Sequence, residues 1–227
     1  MRHRYMVIRA WVCLVAAAFA LQMPLWAQEK PNLGRVLSKI ELHYNRLATM
    51  RLDFEQTVSL PGRRPRTERG TISLRRPQKM RWEYTEPEGK LLVGDGDWLH
   101  MYNPLTNQVR RIDLRRSADL RAPLAFLLGR LQFRRQFRNL RLEEIGGNTV
   151  LVGEGRPGQD PYGRVEFSFN AESYSLTHIK IMGTDETITT FDFRNEVVNP
   201  SLDLALFSFR NPPGADVLDE VPGGEGQ

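Results

Sequence analysis

Few side chains in this sequence are spaced for catalysis. His43, His100 and His178 have no cysteine and no second histidine at metal-ligand spacing. Asp95 and Asp97 are paired carboxylates, but they flank a glycine in a short turn, where aspartate is a common turn former. The sequence also lacks a G-x-S-x-G elbow, an H-E-x-x-H pair, a phosphate-binding loop and a dinucleotide fingerprint. These patterns predict a protein that is not an enzyme and uses no metal or cofactor, although a site assembled from distant residues remains open.

One charged residue departs from the local pattern. In the strand that contains Ile72 and Leu74, alternation places Arg76 on the same, inward face, directly before Pro77. An inward guanidinium is costly unless it is paired or fully hydrogen-bonded. Either the strand bends at the proline and Arg76 reaches water along its methylenes, or the guanidinium binds carbonyl oxygens of a short apolar helix and holds it as a lid.

Residues 74–107 read as short strands that are interrupted by turns at proline, glycine, asparagine and aspartate. Within this stretch Met80, Trp82 and Tyr84 share one face of a strand. Large apolar groups on a curved sheet either fill a core or line a hollow, and the sequence pattern leaves both open.

The elements that would position these residues follow from hydrophobic periodicity. Residues 33–48 predict a helix with one apolar stripe, and residues 117–131 predict a short, very apolar helix. Residues 63–69 predict a mobile polar hairpin loop, and residues 201–206 one helical turn. About ten or eleven strands, mostly antiparallel, are predicted between residues 51 and 193. The fold class is therefore α+β and mainly β, with a sheet that either closes as a barrel or wraps round its helices.

The N-terminus has the order of a secretory signal peptide. A basic leader precedes an uncharged apolar run at residues 11–21, and we expect cleavage near Ala27, with a retained membrane anchor as the alternative. Cys13, the only cysteine, lies inside that run, so the mature chain would have none. We expect residues 28–218 to form one domain, and the acidic, Gly-rich residues 219–227 to be a disordered tail.

The formal net charge of +5 falls to about +2 (5 − 3) without the leader arginines Arg2, Arg4 and Arg9. The remaining arginines cluster at residues 63–69, 110–116 and 130–138. These clusters are interpreted as solvated faces, with a patch for an anionic membrane or acidic partner as the alternative. An exported chain without a nucleic-acid-binding signature is not expected to bind nucleic acid.

A series of short motifs resembles the LolA family, the periplasmic carriers of outer-membrane lipoproteins. The series covers nearly the whole mature chain, and its order and spacing are more specific than any single piece. Its members are Phe54-x-Gln56, Gly70-x-x-x-Leu74, Arg76-Pro77, Met80-Arg81-Trp82-x-Tyr84 with Pro87, Asp95-Gly96, Tyr102-x-Pro104, Gln108-Val109, Pro123-Leu124, Val165-x-Phe167, Phe191-x-Phe193, Asn199-Pro200, Phe207-x-Phe209 and Pro213-Gly214-Ala215-Asp216-Val217.

The resemblance implies an unclosed antiparallel half-barrel with a helical lid over a hydrophobic cavity that takes up acyl chains. Arg76 matches the family's arginine that hydrogen-bonds the lid. We expect the cavity and lid to be formed by Leu52, Phe54, Leu74, Trp82, Leu124, Phe126, Leu127, Phe167 and Phe191. Leu124, Phe126 and Leu127 would plug the empty cavity against the aromatic residues.

The implied location is the periplasm, and the implied partners are acylated lipoproteins. An inner-membrane LolCDE-type ABC transporter would load them, and an outer-membrane acceptor such as LolB, where present, would receive them. We expect the carrier to be a monomer. The alternative is a non-enzymatic binder or sensor of another lipid or glycolipid with the same architecture.

Overall fold

Twelve strands form one sheet within residues 32–114 and 131–220, which are the residues described by the computed structural model. Helix α1 spans Leu33–Asn45, the short helix α2 spans Phe133–Gln136, and a 3₁₀ helix spans Leu204–Phe207. The strands are β1 (Thr49–Ser59), β2 (Arg66–Arg75), β3 (Lys79–Glu86), β4 (Leu91–Asp95), β5 (Trp98–Asn103), β6 (Gln108–Asp113), β7 (Arg138–Ile145), β8 (Asn148–Glu154), β9 (Tyr162–Phe169), β10 (Leu176–Gly183), β11 (Ile188–Val198) and β12 (Asp216–Glu220).

The strand order is β12-β6-β5-β4-β3-β2-β1-β11-β10-β9-β8-β7. Hairpins join most neighbours, and β1 and β11 pair in the middle, so all the pairings except one are antiparallel. In the described part of the chain β12 and β7 are the two edges, and the sheet is therefore open. This confirms the α+β class and the unclosed antiparallel half-barrel that the resemblance implied.

The exceptional pairing is β12 with β6, which is parallel. This pairing corrects the prediction of a disordered tail at residues 219–227, because Asp219 and Glu220 belong to a strand. Residues 221–227 lie outside the described residues. Arg111 stabilises this edge by donating from Nε and Nη2 to the two carboxylate oxygens of Asp219, at 2.8 and 2.9 Å. Acidic composition suggested disorder, but a sheet edge with free backbone groups and a facing arginine overrides composition.

The prediction of a mobile loop at residues 63–69 is also wrong in part, because β2 begins at Arg66. The hydroxyls of Thr57 and Thr67 lie 2.9 Å apart across β1 and β2. Arg69 donates to Glu55 on β1, at 2.8 Å, and to Glu86 on β3. Cross-strand polar pairs thus extend the ladder where a run of polar residues suggested a loop.

Helix α1 forms because Asn32 caps it and an apolar stripe runs along it. The Asn32 side chain accepts a hydrogen bond from Arg35 N at 3.2 Å. The buried residues of the stripe are Val36, Leu37, Ile40 and Tyr44, and they join the apolar face of the sheet in one core. The helix ends at Asn45 rather than at the predicted residue 48, because Asn199 Oδ1 accepts from Ala48 N and redirects the chain into β1.

A buried polar contact joins α1 to the middle of the sheet. The Tyr44 hydroxyl donates to Glu196 Oε2 at 3.0 Å and accepts from Leu176 N at 2.7 Å. The other carboxylate oxygen of Glu196 lies 2.7 Å from His43 Nε2. Burial, reinforced by the negative charge of Glu196, raises the pKa of Tyr44 above its ordinary value.

Alkaline pH is therefore expected to destabilise the fold through Tyr44. Because the folded-state pKa is raised, the stability that the neutral hydroxyl contributes is fully present below about pH 10 and is lost as the pH rises through the folded pKa. Tyr44→Phe should lower the free energy of unfolding by about 1–3 kcal/mol at neutral pH, because it leaves Leu176 N without this partner. Urea unfolding of both proteins should also show a smaller loss above about pH 10 in the variant.

The matched control for this series is Tyr174→Phe, which removes a hydroxyl from the turn between β9 and β10. An alkaline loss of the same size in the wild type and Tyr44→Phe would contradict the assignment.

Candidate functional site

The candidate site is the apolar face of the open sheet. Six of the expected cavity residues lie in the described part of the chain, and all six are buried in one hydrophobic cluster: Leu52, Phe54, Leu74, Trp82, Phe167 and Phe191. Alternation along β1, β2 and β3 brings the first four to one side, as the sequence pattern predicted, and Phe167 on β9 and Phe191 on β11 join the same cluster. Leu124, Phe126, Leu127 and residues 117–130 of the predicted helix lie outside the described residues, so their roles stay predictions.

Aromatic rings connect the central strands across this face. The ring centroids of Phe54 and Trp82 are 4.9 Å apart, and those of Phe54 and Tyr84 are 5.1 Å apart. Phe191 meets Trp82 edge-on at 6.1 Å and stacks on Phe193 at 6.1 Å. The result is a continuous aromatic surface from β3 through β1 to β11.

Phe167 belongs to a different part of the same core. Its ring packs edge-to-face on Phe133 and Phe137, each at 5.2 Å between centroids. The structure therefore brings Phe54, Trp82 and Phe191 together, and among the described residues the rings that contact Phe167 lie in and beside α2.

Helix α1 holds the chain on the C-terminal side of residues 115–130. The Asn45 side chain donates to Leu131 O at 2.9 Å and accepts from Leu131 N at 2.7 Å. Glu41 accepts from Phe133 N at 2.9 Å. These contacts, which the sequence analysis missed, fix one flank of the predicted lid against the N-terminal helix.

A glycine lets the central strands approach closely. The register of β2 and β3 shifts at Gly70, which pairs with Tyr84 while Arg69 pairs with Glu86. A Cβ at Gly70 would lie 2.1 Å from the backbone oxygen of Glu83. This explains why the motif has glycine here, at the point where the aromatic surface is densest.

One end of the apolar face is polar. Glu68 on β2 is buried; it accepts from Lys90 Nζ at 2.6 Å and also from Arg66. Lys90 Nζ lies 4.3 Å from the ring centroid of Tyr84, and burial together with the charge of Glu68 raises the pKa of Tyr84 above its ordinary value. Sequence reasoning placed Glu68 in a loop and missed it, although its even spacing from Ile72 and Leu74 is a signal that it faces inward.

Arg76 binds a helix carbonyl. Its Nη2 donates to Tyr44 O, near the end of α1, at 3.2 Å, and its backbone N donates to Ala48 O at 2.9 Å. The guanidinium is half-buried, and burial lowers its pKa from the ordinary arginine value. A cation at the carbonyl end of a helix satisfies otherwise unpaired acceptors and complements the helix dipole. The expected latch contact involves residues outside the described ones and remains a prediction.

Asp95 acts as the turn former that the sequence indicated. Its Oδ1 accepts from Asp97 N at 2.9 Å and Trp98 N at 2.8 Å, and its Oδ2 lies 3.1 Å from His100 Nε2. Although partial burial opposes it, these hydrogen bonds hold the pKa of Asp95 below its usual value. The His100 ring stacks on Phe209 at 4.6 Å. Within residues 32–114 and 131–220, no group of three or more histidine, cysteine, aspartate or glutamate side chains could hold a metal ion.

The sequence profile of one family, "Outer membrane lipoprotein carrier protein LolA", matches residues 45–210. The chain belongs to the LolA family. An outer-membrane lipoprotein carrier protein from Dechloromonas aromatica is 29% identical over 210 residues, which cover 91% of this chain and 96% of the relative. Another from Nitrosospira multiformis is 30% identical over 175 residues, covering 76% of this chain and 83% of the relative. The family resemblance drawn from the motifs is thus confirmed.

A solved structure shares the fold of this LolA-family chain. An uncharacterized conserved protein from Thermus thermophilus superimposes with a TM-score of 0.52 at 12% identity, over 82% of this chain and 98% of that one. The likeness at such low identity concerns the fold alone. None of the described helices is long and apolar enough to cross a bilayer.

Gly70→Ala is expected to lower the free energy of unfolding by about 1–3 kcal/mol, because the added methyl would have to displace the β3 backbone. The matched control is Gly163→Ala in β9, where an added Cβ meets nothing within 4 Å. That control should change stability by less than about 0.5 kcal/mol. Urea denaturation measures both, and equal effects would show that the close approach at Gly70 carries no penalty.

Proposed function

We propose that this protein is a periplasmic carrier that binds the acyl chains of lipoproteins released from the inner membrane and delivers them to the outer membrane. The observation that carries the proposal is the continuous aromatic and aliphatic surface on one side of an open sheet, in a chain of the LolA family. The secretory pattern of residues 1–27 supports export to the periplasm.

Burial of hydrocarbon supplies the binding energy. Each CH₂ moved from water into an apolar site contributes about 0.8 kcal/mol, so several acyl chains suffice to hold a lipidated client in solution. Polar chemistry is not needed for this task, which agrees with the absence of catalytic motifs from the sequence.

The proposed cycle needs a site that can also release its client. Leu124, Phe126 and Leu127 would occupy the empty site against Trp82, Phe167 and Phe191. Arg76 would stabilise the closed, empty form as a lid latch, while its contact with Tyr44 O fixes α1 beside the site. A LolCDE-type transporter would load the carrier, and a LolB-like acceptor, where present, would receive the client from the monomeric carrier.

The proposal is tested by native mass spectrometry of the protein extracted gently from its own cells. We expect a bound polypeptide that carries acyl groups. A free lipid or glycolipid without polypeptide would favour the alternative of a lipid binder or sensor, and only unliganded protein would contradict both.

Variants on opposite faces of β11 sharpen this test. Phe191→Ala, on the apolar face, should reduce the recovered complex about tenfold, because a large contact with hydrocarbon is lost. Asp192→Ala, the neighbour on the other face, should leave it unchanged. Both are compared only after urea unfolding shows that each variant is folded.

The latch is tested separately with Arg76→Leu. Loss of the guanidinium should expose apolar surface in the empty protein and change the balance between loading and release. We expect a rise in the fluorescence of a bound apolar dye and altered transfer of a triacylated lipoprotein to acceptor vesicles. Arg63→Leu, an exposed arginine in the β1–β2 turn, is the matched control. Unchanged dye binding together with unchanged transfer would contradict the latch.

A further inference from the structure

A buried hydrogen-bond donor without a partner lies on the apolar face. Among the described residues only two buried side-chain nitrogen or oxygen atoms lack a hydrogen bond, Trp82 Nε1 and His100 Nδ1. Trp82 is 6% exposed and lies on the central strand β3. Leaving such a donor unpaired costs free energy, and proteins pair the great majority of buried polar groups.

The described side chains that pair with Trp82 in register or contact its ring offer no acceptor to this donor. Across the sheet it is paired in register with Ile72 on β2 and Leu92 on β4. Its ring contacts are with Phe54 and Phe191. All four side chains are hydrocarbon, so none of them offers an acceptor to the indole N–H.

This setting defines the chemistry of a suitable partner. The hydrocarbon part of a ligand offers no acceptor, whereas an acyl group carries a carbonyl oxygen where its chain joins the rest of the molecule. A carbonyl accepts a hydrogen bond from an indole N–H, and the bond is strengthened in a low-dielectric site. A bound acyl group would therefore supply both the apolar contact and the missing acceptor.

The polar end of the face indicates how that group is oriented. Tyr84 is two residues from Trp82 along β3, a distance of about 6.6–6.8 Å in a strand. Beside it lie Lys90 and the buried Glu68. In the opposite direction along β3, Met80 is paired with Leu74, and both are buried and apolar.

We propose that Trp82 Nε1 donates a hydrogen bond to an ester or amide carbonyl of the client's acyl group. The hydrocarbon then lies toward Met80 and Leu74, and the client's polar part lies toward Glu68 and Lys90. The inference rests on the proposed carrier function and adds a polar contact and a direction to it.

Indole NMR tests the contact directly. The chain is labelled with ¹⁵N at its tryptophan indoles, and the Trp82 resonance is assigned by its loss in Trp82→Phe. Two probes are compared: a cysteine peptide with two palmitoyl esters, and its dihexadecyl ether analogue, which has the same hydrocarbon but no ester carbonyl. We expect the Trp82 indole proton to move downfield with the ester probe and not with the ether probe. Trp98, on β5 with Arg111 over its ring, is the internal reference.

Affinities provide the second readout. Trp82→Phe should weaken the binding of the ester probe about 3–10-fold more than that of the ether probe, which is the range expected for one neutral hydrogen bond. Phe191→Leu trims the same surface without removing a donor, and should weaken both probes equally.

The outcomes separate this inference from the function on which it rests. If the wild type binds both probes but the Trp82 resonance does not distinguish them, or if Trp82→Phe weakens both alike, the hydrogen bond is overturned and the carrier function stands. If the wild type binds neither probe, the carrier function fails, and the inference fails with it.

Discussion

The structure depends on covering one large apolar face of a sheet that does not close on itself. A closed barrel buries its interior with its own strands, whereas an open sheet must cover that face with other elements. Here α1 covers part of it through Val36, Leu37 and Ile40. This requirement fits the proposed carrier function, in which a lipid ligand replaces some of the elements that cover the apolar face.

Polar contacts are placed where they position the covering elements. Tyr44 and Glu196 tie α1 to β11 and β10, and Arg76 binds the carbonyl of Tyr44 at the end of the same helix. Asn45 joins α1 to Leu131 through two hydrogen bonds. Because these groups satisfy one another's hydrogen-bonding capacity, they hold the helix in one orientation and place no unpaired polar atom on the central apolar surface. Trp82 Nε1 is the exception on that surface.

Alternation predicted much of this site because it is a local property. Successive strand residues face opposite sides, so the shared face of Met80, Trp82 and Tyr84 was readable from spacing alone. Glu68 shows the limit of that reasoning. Its alternation also placed it inward, but its basic neighbours suggested a loop, and the compensating Lys90 is 22 residues away in the chain. Asp219 was misjudged for the same reason, because its partner Arg111 is distant in sequence.

The sequence by itself determined the class of the fold, the family, the inward face of the central strands and the scarcity of catalytic groups. These follow from periodicity, turn chemistry and motif order, which act over a few residues. Only the tertiary structure decided that β12 adds a parallel edge, that Arg76 binds the end of α1, and that Phe167 packs on Phe133 and Phe137. Each of these depends on contacts between segments that are distant in the sequence, and a pattern of neighbouring residues does not show how favourable such contacts are.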